Sequence, residues 1–183
     1  MPRRPRNEEA GAIHHVYARG VDKRPIYRYR ADRELYLQML ANVVRRFGWW
    51  CLSYCQMENH VHLLIETPEP NLGRGMQVLH GDYAAAFNAH HGTTGHVFER
   101  RYGSKRITDD AHFWVAAAYV ANNPVEAKLV ARPDAWPWSS YPAAKNGHGP
   151  SWLALDRLYE YFGALGGVGR QRYVDFVGGV AVA

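Results

Sequence analysis

Met57-Glu58-Asn59-His60-Val61-His62-Leu63-Leu64-Ile65 is the stretch on which the reading of this chain turns. From residue 60 onward it has the composition of a strand, and strand side chains alternate between two faces. Val61, Leu63 and Ile65 therefore point one way and can pack beneath helices, while His60 and His62 point the other way, towards a substrate. Two imidazoles projecting from one face have metal-chelating geometry. Standing alone, such a pair is more often structural than ligating, so the motif needs partners.

Outward from this stretch, Trp49 to Tyr54 is a second apolar run, and the polar Gln56 to Asn59 between the two predicts a hairpin. Upstream, Ile13 to Arg19 reads as a strand and Gly20 to Pro25 as a turn. A long helix follows, with Asp32 as N-cap, Tyr36, Met39, Leu40, Val43, Val44 and Phe47 at helical spacing, and Gly48 as left-handed C-cap. Downstream, Pro68 and Pro70 end the histidine strand. Asn71 caps a second helix with Leu72, Met76, Leu79, Tyr83 and Phe87 on one face, ending before His91-Gly92. A fourth strand is expected within Val97 to Ile107. The order strand, helix, strand, strand, helix, strand predicts an α+β fold, the ferredoxin-like split β-α-β arrangement, with helices on one face of an antiparallel sheet and the other face free. A further helix starts at Thr108 to Asp110 and should stop at Asn122, because Asn123 precedes Pro124. Tyr119 falls in its last turn. Beyond Trp136-Pro137-Trp138-Ser139-Ser140-Tyr141 the tail reads as a loop at Lys145 to Pro150, short helices at Leu155 to Phe162 and Gln171 to Val177, and an unstructured end from Gly178 to Ala183.

With 183 residues the chain is the size of one domain with a sizeable core. No stretch approaches the roughly 20 apolar residues of a membrane span, and Met1 to Ala10 is charged, so neither a membrane location nor a secretory signal is expected. Only Cys51 and Cys55 occur, which is no disulfide framework and points to the cytoplasm. The formal charge of +5 is clustered: Arg3, Arg4 and Arg6; Lys23, Arg24, Arg28 and Arg30; Arg45 and Arg46; Arg100, Arg101, Lys105 and Arg106. Such clusters can neutralise backbone phosphates, and equally can be solvated faces. Tyr119 has Asn123 four residues on, so a phenol and an amide oxygen lie on one side of the helix about one turn apart. Asn123 is thereby a possible third ligand beside His60 and His62, and an oxygen donor joined to two imidazoles suits Mg²⁺ or Mn²⁺.

An ordered series of motifs then resembles the single-tyrosine HUH transposases, and within them the REP-associated tyrosine transposases. The series runs from His15-Val16-Tyr17-Ala18-Arg19-Gly20 through Met57 to Ile65, Asn71-Leu72 and Gly95-His96-Val97-Phe98-Glu99-Arg100-Arg101-Tyr102. It ends with Tyr119, Asn123-Pro124-Val125-Glu126-Ala127 and Trp138-Ser139-Ser140-Tyr141. The resemblance implies a catalytic domain over residues 1–145 and a tail over 146–183 packed on it. It implies that His60 and His62 bind Mg²⁺ or Mn²⁺ and that Tyr119 attacks a phosphate of single-stranded or hairpin DNA. The products would be a 5′-phosphotyrosine and a free 3′-hydroxyl, and rejoining would need no ATP. A phenol, which titrates near 10, needs nearby positive charge for such an attack. Arg19, Lys23, Arg24, Arg100, Arg101, Lys105 and Arg106 are the expected DNA contacts, and aromatics such as Trp49, Trp50, Tyr102 or Trp138 would stack bases unless they are core. Relatives include monomers and homodimers, and the extended tail favours the monomer. Glu58 stands where a proline is common in the family, and Glu126 where a basic residue is common.

Three other readings compete. The same topology serves non-catalytic nucleic-acid binders. Cys51, Cys55, His60 and His62 would be a structural zinc site if they converged. The same metal with water as nucleophile would make a hydrolytic nuclease.

Overall fold

A computed structural model of the protein describes residues 8–163 and 166–179. Strands β1 (Ala12–Arg19), β2 (Trp50–Gln56), β3 (His60–Thr67) and β4 (Gly103–Ile107) form one antiparallel sheet in the order β2-β3-β1-β4. Helix α1 (Arg30–Phe47) joins β1 to β2, and α2 (Leu72–His91) joins β3 to β4. This is the ferredoxin-like α+β arrangement expected from the pattern. In the register of β1 with β3, Tyr17 pairs with His62 and Arg19 with His60, so these side chains share a face.

Local chemistry sets the element ends. Gly48 closes α1 at φ 65, in the left-handed region. Asp32 is not the N-cap. The helix starts at Arg30, and the Asp32 carboxylate reaches back to accept from the backbone N–H groups of Arg28 (2.8 Å) and Tyr29 (2.9 Å), satisfying two donors at a helix start. β4 is shorter than expected: 97–99 crosses the end of β1 instead, with Glu99 N donating to Arg19 O and Val21 N to Val97 O. Gly103 opens β4 because a Cβ there would lie 2.3 Å from the Tyr17 ring.

Helix α3 (Asp110–Glu126), capped by the Asp109 carboxylate on His112 N, runs straight through Pro124 instead of stopping at Asn122. The cost of a proline and of the helical residue before it is offset by burial of both Asn123 and Pro124. Ala127 N and Leu129 N continue the turn by donating to Asn123 O and Pro124 O. Tyr119 therefore stands about two turns from the helix end.

The two faces of the sheet are both covered, which corrects the expectation of one free face. On one, Val16, Val61, Leu63 and Ile65 pack with Tyr36, Leu40, Met76, Leu79 and Tyr83 of α1 and α2. On the other, Leu52, Leu64 and Ile107 lie beneath Phe113, Ala117 and Ala121 of α3 and beneath the tail. The tail comprises α4 (Tyr141–Asn146), which takes in the first two residues of the loop expected at Lys145 to Pro150, α5 (Leu155–Glu160) and α6 (Gly166–Gly179), and it contributes Tyr141, Leu158, Tyr159, Phe162, Tyr173 and Val177 to that core. Gly178 and Gly179 belong to α6; the remainder of the expected unstructured end, 180–183, lies outside the described residues, as do Arg3, Arg4 and Arg6.

The tail also closes the β2 edge. Gln56 N donates to Trp138 O, Ser140 N to Tyr54 O, and Ala154 N to Cys51 O, which satisfies backbone groups that an open edge would leave unpaired. Arg157 clamps the buried Glu66 carboxylate with two bonds, at 2.9 and 3.0 Å. Among the described residues no helix is long and apolar enough to cross a membrane.

Candidate active site

Among the described residues one end of the second face stays open, and the alternation of β1 and β3 brings His15, Tyr17, His60 and His62 there. Asn123 reaches them from α3. Its Oδ1 lies 3.2 Å from His60 Nε2 and its Nδ2 lies 3.4 Å from His62 Nε2, so one amide spans both Nε2 atoms. The Nδ1 atoms are held from behind. His60 Nδ1 is 2.7 Å from Asn59 Oδ1, and Asn59 Nδ2 donates to Lys23 O, which fixes the amide so that its oxygen faces His60. His60 thus donates from Nδ1 and carries a lone pair on Nε2, which faces the lone pairs of Asn123 Oδ1. Two acceptors opposed at 3.2 Å, with His62 Nε2 beside them, form a donor set suited to a cation. Behind His62, its Nδ1 lies 2.9 Å from His15 Nε2.

The electrostatics keep these rings neutral. Burial, then the neighbouring His15 and His60, push His62 down to about 3. Burial, then Lys105 and His112, push His15 down to about 4. Burial also lowers His60, with Arg19 adding to the effect and the Asn123 contact opposing it. Neutral imidazoles are the form that ligates metal.

Tyr119 stands over this group, 39% exposed, with its ring edge-on to His62 at 5.3 Å and to His15 at 5.6 Å between centroids. It lines a cavity of about 470 Å³ together with Tyr17, His60, His62, Arg19, Lys23, Arg100 and Arg101. Of the cations expected to contact a polynucleotide, those four line the cavity, although Arg19 is also paired with Glu99 at 3.0 Å. Lys105 stands opposite His15 in the β1–β4 register. Arg24 lies outside the lining, beside Asp22, and Arg106 is paired with Glu9 at 2.7 Å and faces the other side of the sheet, in register with His14. Trp49 and Tyr102 are buried.

His15, Tyr17 and Asn59 were missed as site residues. The signal for the first two was the odd-numbered face of β1, which becomes informative only once β1 is known to pair with the histidine strand. The zinc reading fails on geometry: a bulge between Cys51 and Ser53 sets Cys51 opposite Ile65 but Cys55 opposite His62, so the two thiols point to opposite faces. A separate His/Asp group that could hold a metal ion, Asp32, His90 and His91, has its ligand atoms within 4.8 Å of one another. It lies where α1 begins and α2 ends, and His91 Nε2 is already 2.9 Å from Asp32 Oδ1.

The fold is similar to that of a solved structure, that of a REP-associated tyrosine transposase bound to a REP hairpin, with a TM-score of 0.64 and 15% identity over 82% of this chain and 89% of that one. No curated protein matches the sequence. The family model described as "Transposase IS200 like" matches residues 11–123, which carry β1 through Asn123 and so the whole of the cluster just described, and the chain belongs to that family of transposases.

Proposed function

We propose that the protein is a metal-dependent single-stranded DNA endonuclease and strand transferase acting through Tyr119. The observation that carries this reading is the convergence of His60 Nε2, His62 Nε2 and Asn123 Oδ1 beneath a half-exposed tyrosine inside a cation-lined cavity. His60, His62 and Asn123 would hold the divalent metal, Mg²⁺ or Mn²⁺, since the donor set is two neutral imidazoles and a hard oxygen. Such an ion supplies Lewis-acid polarisation of the scissile phosphate.

The residues of the chain do the rest. Arg19, Lys23, Arg100 and Arg101 neutralise and seat the phosphodiester backbone. The Tyr119 oxygen forms a bond to phosphorus as the bond from phosphorus to the 3′-oxygen breaks; the phenol proton is lost and the departing 3′-oxygen gains one. The product is a 5′-phosphotyrosine, and attack on it by another 3′-hydroxyl rejoins strands and frees Tyr119. REP hairpin DNA is the first substrate to try, because the similar solved structure is that of a transposase bound to a REP hairpin.

The test is to incubate the protein with Mn²⁺ and labelled hairpins bearing single-stranded flanks, then separate under denaturing conditions. A protein-linked 5′-strand that maps to Tyr119 and vanishes in Tyr119→Phe is expected. Cleavage without any linked strand would favour water as nucleophile, and binding without cleavage would favour a non-catalytic binder.

A further inference from the structure

Both proposed ligand histidines are neutral rings with one lone pair each, and that lone pair must sit on Nε2 if it is to face Asn123. For His60 the choice is made by Asn59, whose amide is itself fixed by Lys23 O. His62 has no such amide behind it. The group 2.9 Å from its Nδ1 is another imidazole nitrogen, Nε2 of His15. Two neutral imidazoles share one hydrogen bond in either of two ways. If His62 Nδ1 donates, its Nε2 keeps the lone pair and accepts from Asn123 Nδ2 at 3.4 Å. If His15 Nε2 donates, His62 carries its proton on Nε2 and presents N–H to the place where a cation would sit. Only the first arrangement leaves a lone pair on His62 Nε2 for a cation held also by His60 Nε2 and Asn123 Oδ1, and so relieves the opposition of those two acceptors.

We propose that His15 is a positioning residue that accepts the Nδ1 proton of His62, fixing the tautomer that aims the His62 Nε2 lone pair at the metal site. This rests on the reading of His60 and His62 as ligands. His15 is placed for the role by strand register: β1 and β3 are neighbours, and the His15 and His62 ring centroids are 5.1 Å apart at an interplanar angle of 30°. Hydrogen-bond acceptors behind metal-bound histidines typically control affinity by 10- to 100-fold.

The test separates this role from ring packing. His15→Phe keeps an aromatic ring against Tyr17, His62 and Tyr119 but removes the acceptor, whereas His15→Gln restores an acceptor oxygen. Mn²⁺ alone is titrated into wild type and both variants by electron paramagnetic resonance, and ¹⁵N-histidine NMR of the metal-free wild type reads the His62 tautomer. We expect His62 to carry its proton on Nδ1, Mn²⁺ affinity to fall 10- to 100-fold in His15→Phe, and His15→Gln to return within a few-fold of wild type. A wild-type His62 protonated on Nε2 overturns the proposal without any variant, and so does unchanged Mn²⁺ affinity in a folded His15→Phe. If His60→Ala and His62→Ala also keep wild-type affinity, the metal reading itself has failed, and the role of His15 fails with it.

Discussion

The two faces of the sheet use adjacent residues of one strand for different ends. Leu63 and Leu64 are both fully buried, yet Leu63 packs against α1 and α2, which follow β1 and β3 in sequence, whereas Leu64 packs against α3 and a tail that arrives long after the sheet is complete. On the first face Val16, Val61, Leu63 and Ile65 are all buried beneath α1 and α2. On the second, among the described residues, later elements cover Leu52, Leu64 and Ile107 and leave His60 and His62 lining a cavity with Tyr17. The tail does more than lengthen the chain: it covers the part of the second face that lies away from His60 and His62.

Removing the tail should have the largest effect on the second face. A chain ending at Lys145 loses Leu158, Tyr159, Phe162, Tyr173 and Val177 from one core, and the Ala154 bond to the β2 edge. Five such side chains at about 1.5–3 kcal/mol each match the whole net stability of a domain. We expect no cooperative thermal unfolding by circular dichroism. A truncated protein that melts sharply near the parent temperature would make 146–183 an appendage to a self-sufficient domain of 1–145.

A pair of single substitutions asks the same question more finely. Leu63→Ala and Leu64→Ala should each cost roughly 2–5 kcal/mol in urea unfolding, because both leave cavities in packed cores. If Leu64→Ala cost under about 1 kcal/mol while Leu63→Ala cost several, the second core would be loosely packed and the faces unequal.

How much of this could be read beforehand follows from the same asymmetry. The α1/α2 face was legible because its apolar positions recur at periods of 2 and 3.6 within contiguous runs, as in Tyr36, Leu40, Val43 and Val44. His60 and His62 were legible as a shared face for the same reason. The covering of the second face was not, since Leu52 reaches it through a bulge and Tyr173 through a helix of five glycines with little apolar pattern. Pro124 misled because the rule that ends helices before proline is local, while burial of Asn123 and Pro124 is tertiary. His15 was hidden because its partner is 47 residues away.

Acid should probe both faces at once, since each holds neutral histidines. On the α2 side, burial pushes His80 down to about 3, where it contacts the Tyr36 hydroxyl and stacks on Phe98. On the site side, His62 and His15 fall to about 3 and about 4. The folded values lie below an unfolded value near 6.5, so the unfolded chain binds more protons once pH drops through 6.5. Stability therefore declines from there towards pH 4, by about 1.4 kcal/mol per pH unit at most for each ring. Thermal melts of the metal-free protein should show that slope, and His80→Gln should flatten it. A melting temperature that stays level between pH 7 and pH 4.5 would refute the assignment of neutral rings.

The smallest expected effect concerns charge, and it divides the cations by face. Arg101 lines the cavity beside Tyr119, whereas Arg106, five residues on, points to the opposite side and pairs with Glu9. A cation that neutralises a phosphate releases one counterion, so Arg101→Ala should weaken single-stranded DNA binding several-fold and lower the slope of log affinity against log salt by about 1. Arg106→Ala should change neither quantity by fluorescence anisotropy, because it only frees an exposed ion pair of little energetic consequence. Equal losses from both would mean that DNA wraps across the β4 edge to the α2 side, and the open end of the second face would then be one part of a longer binding path.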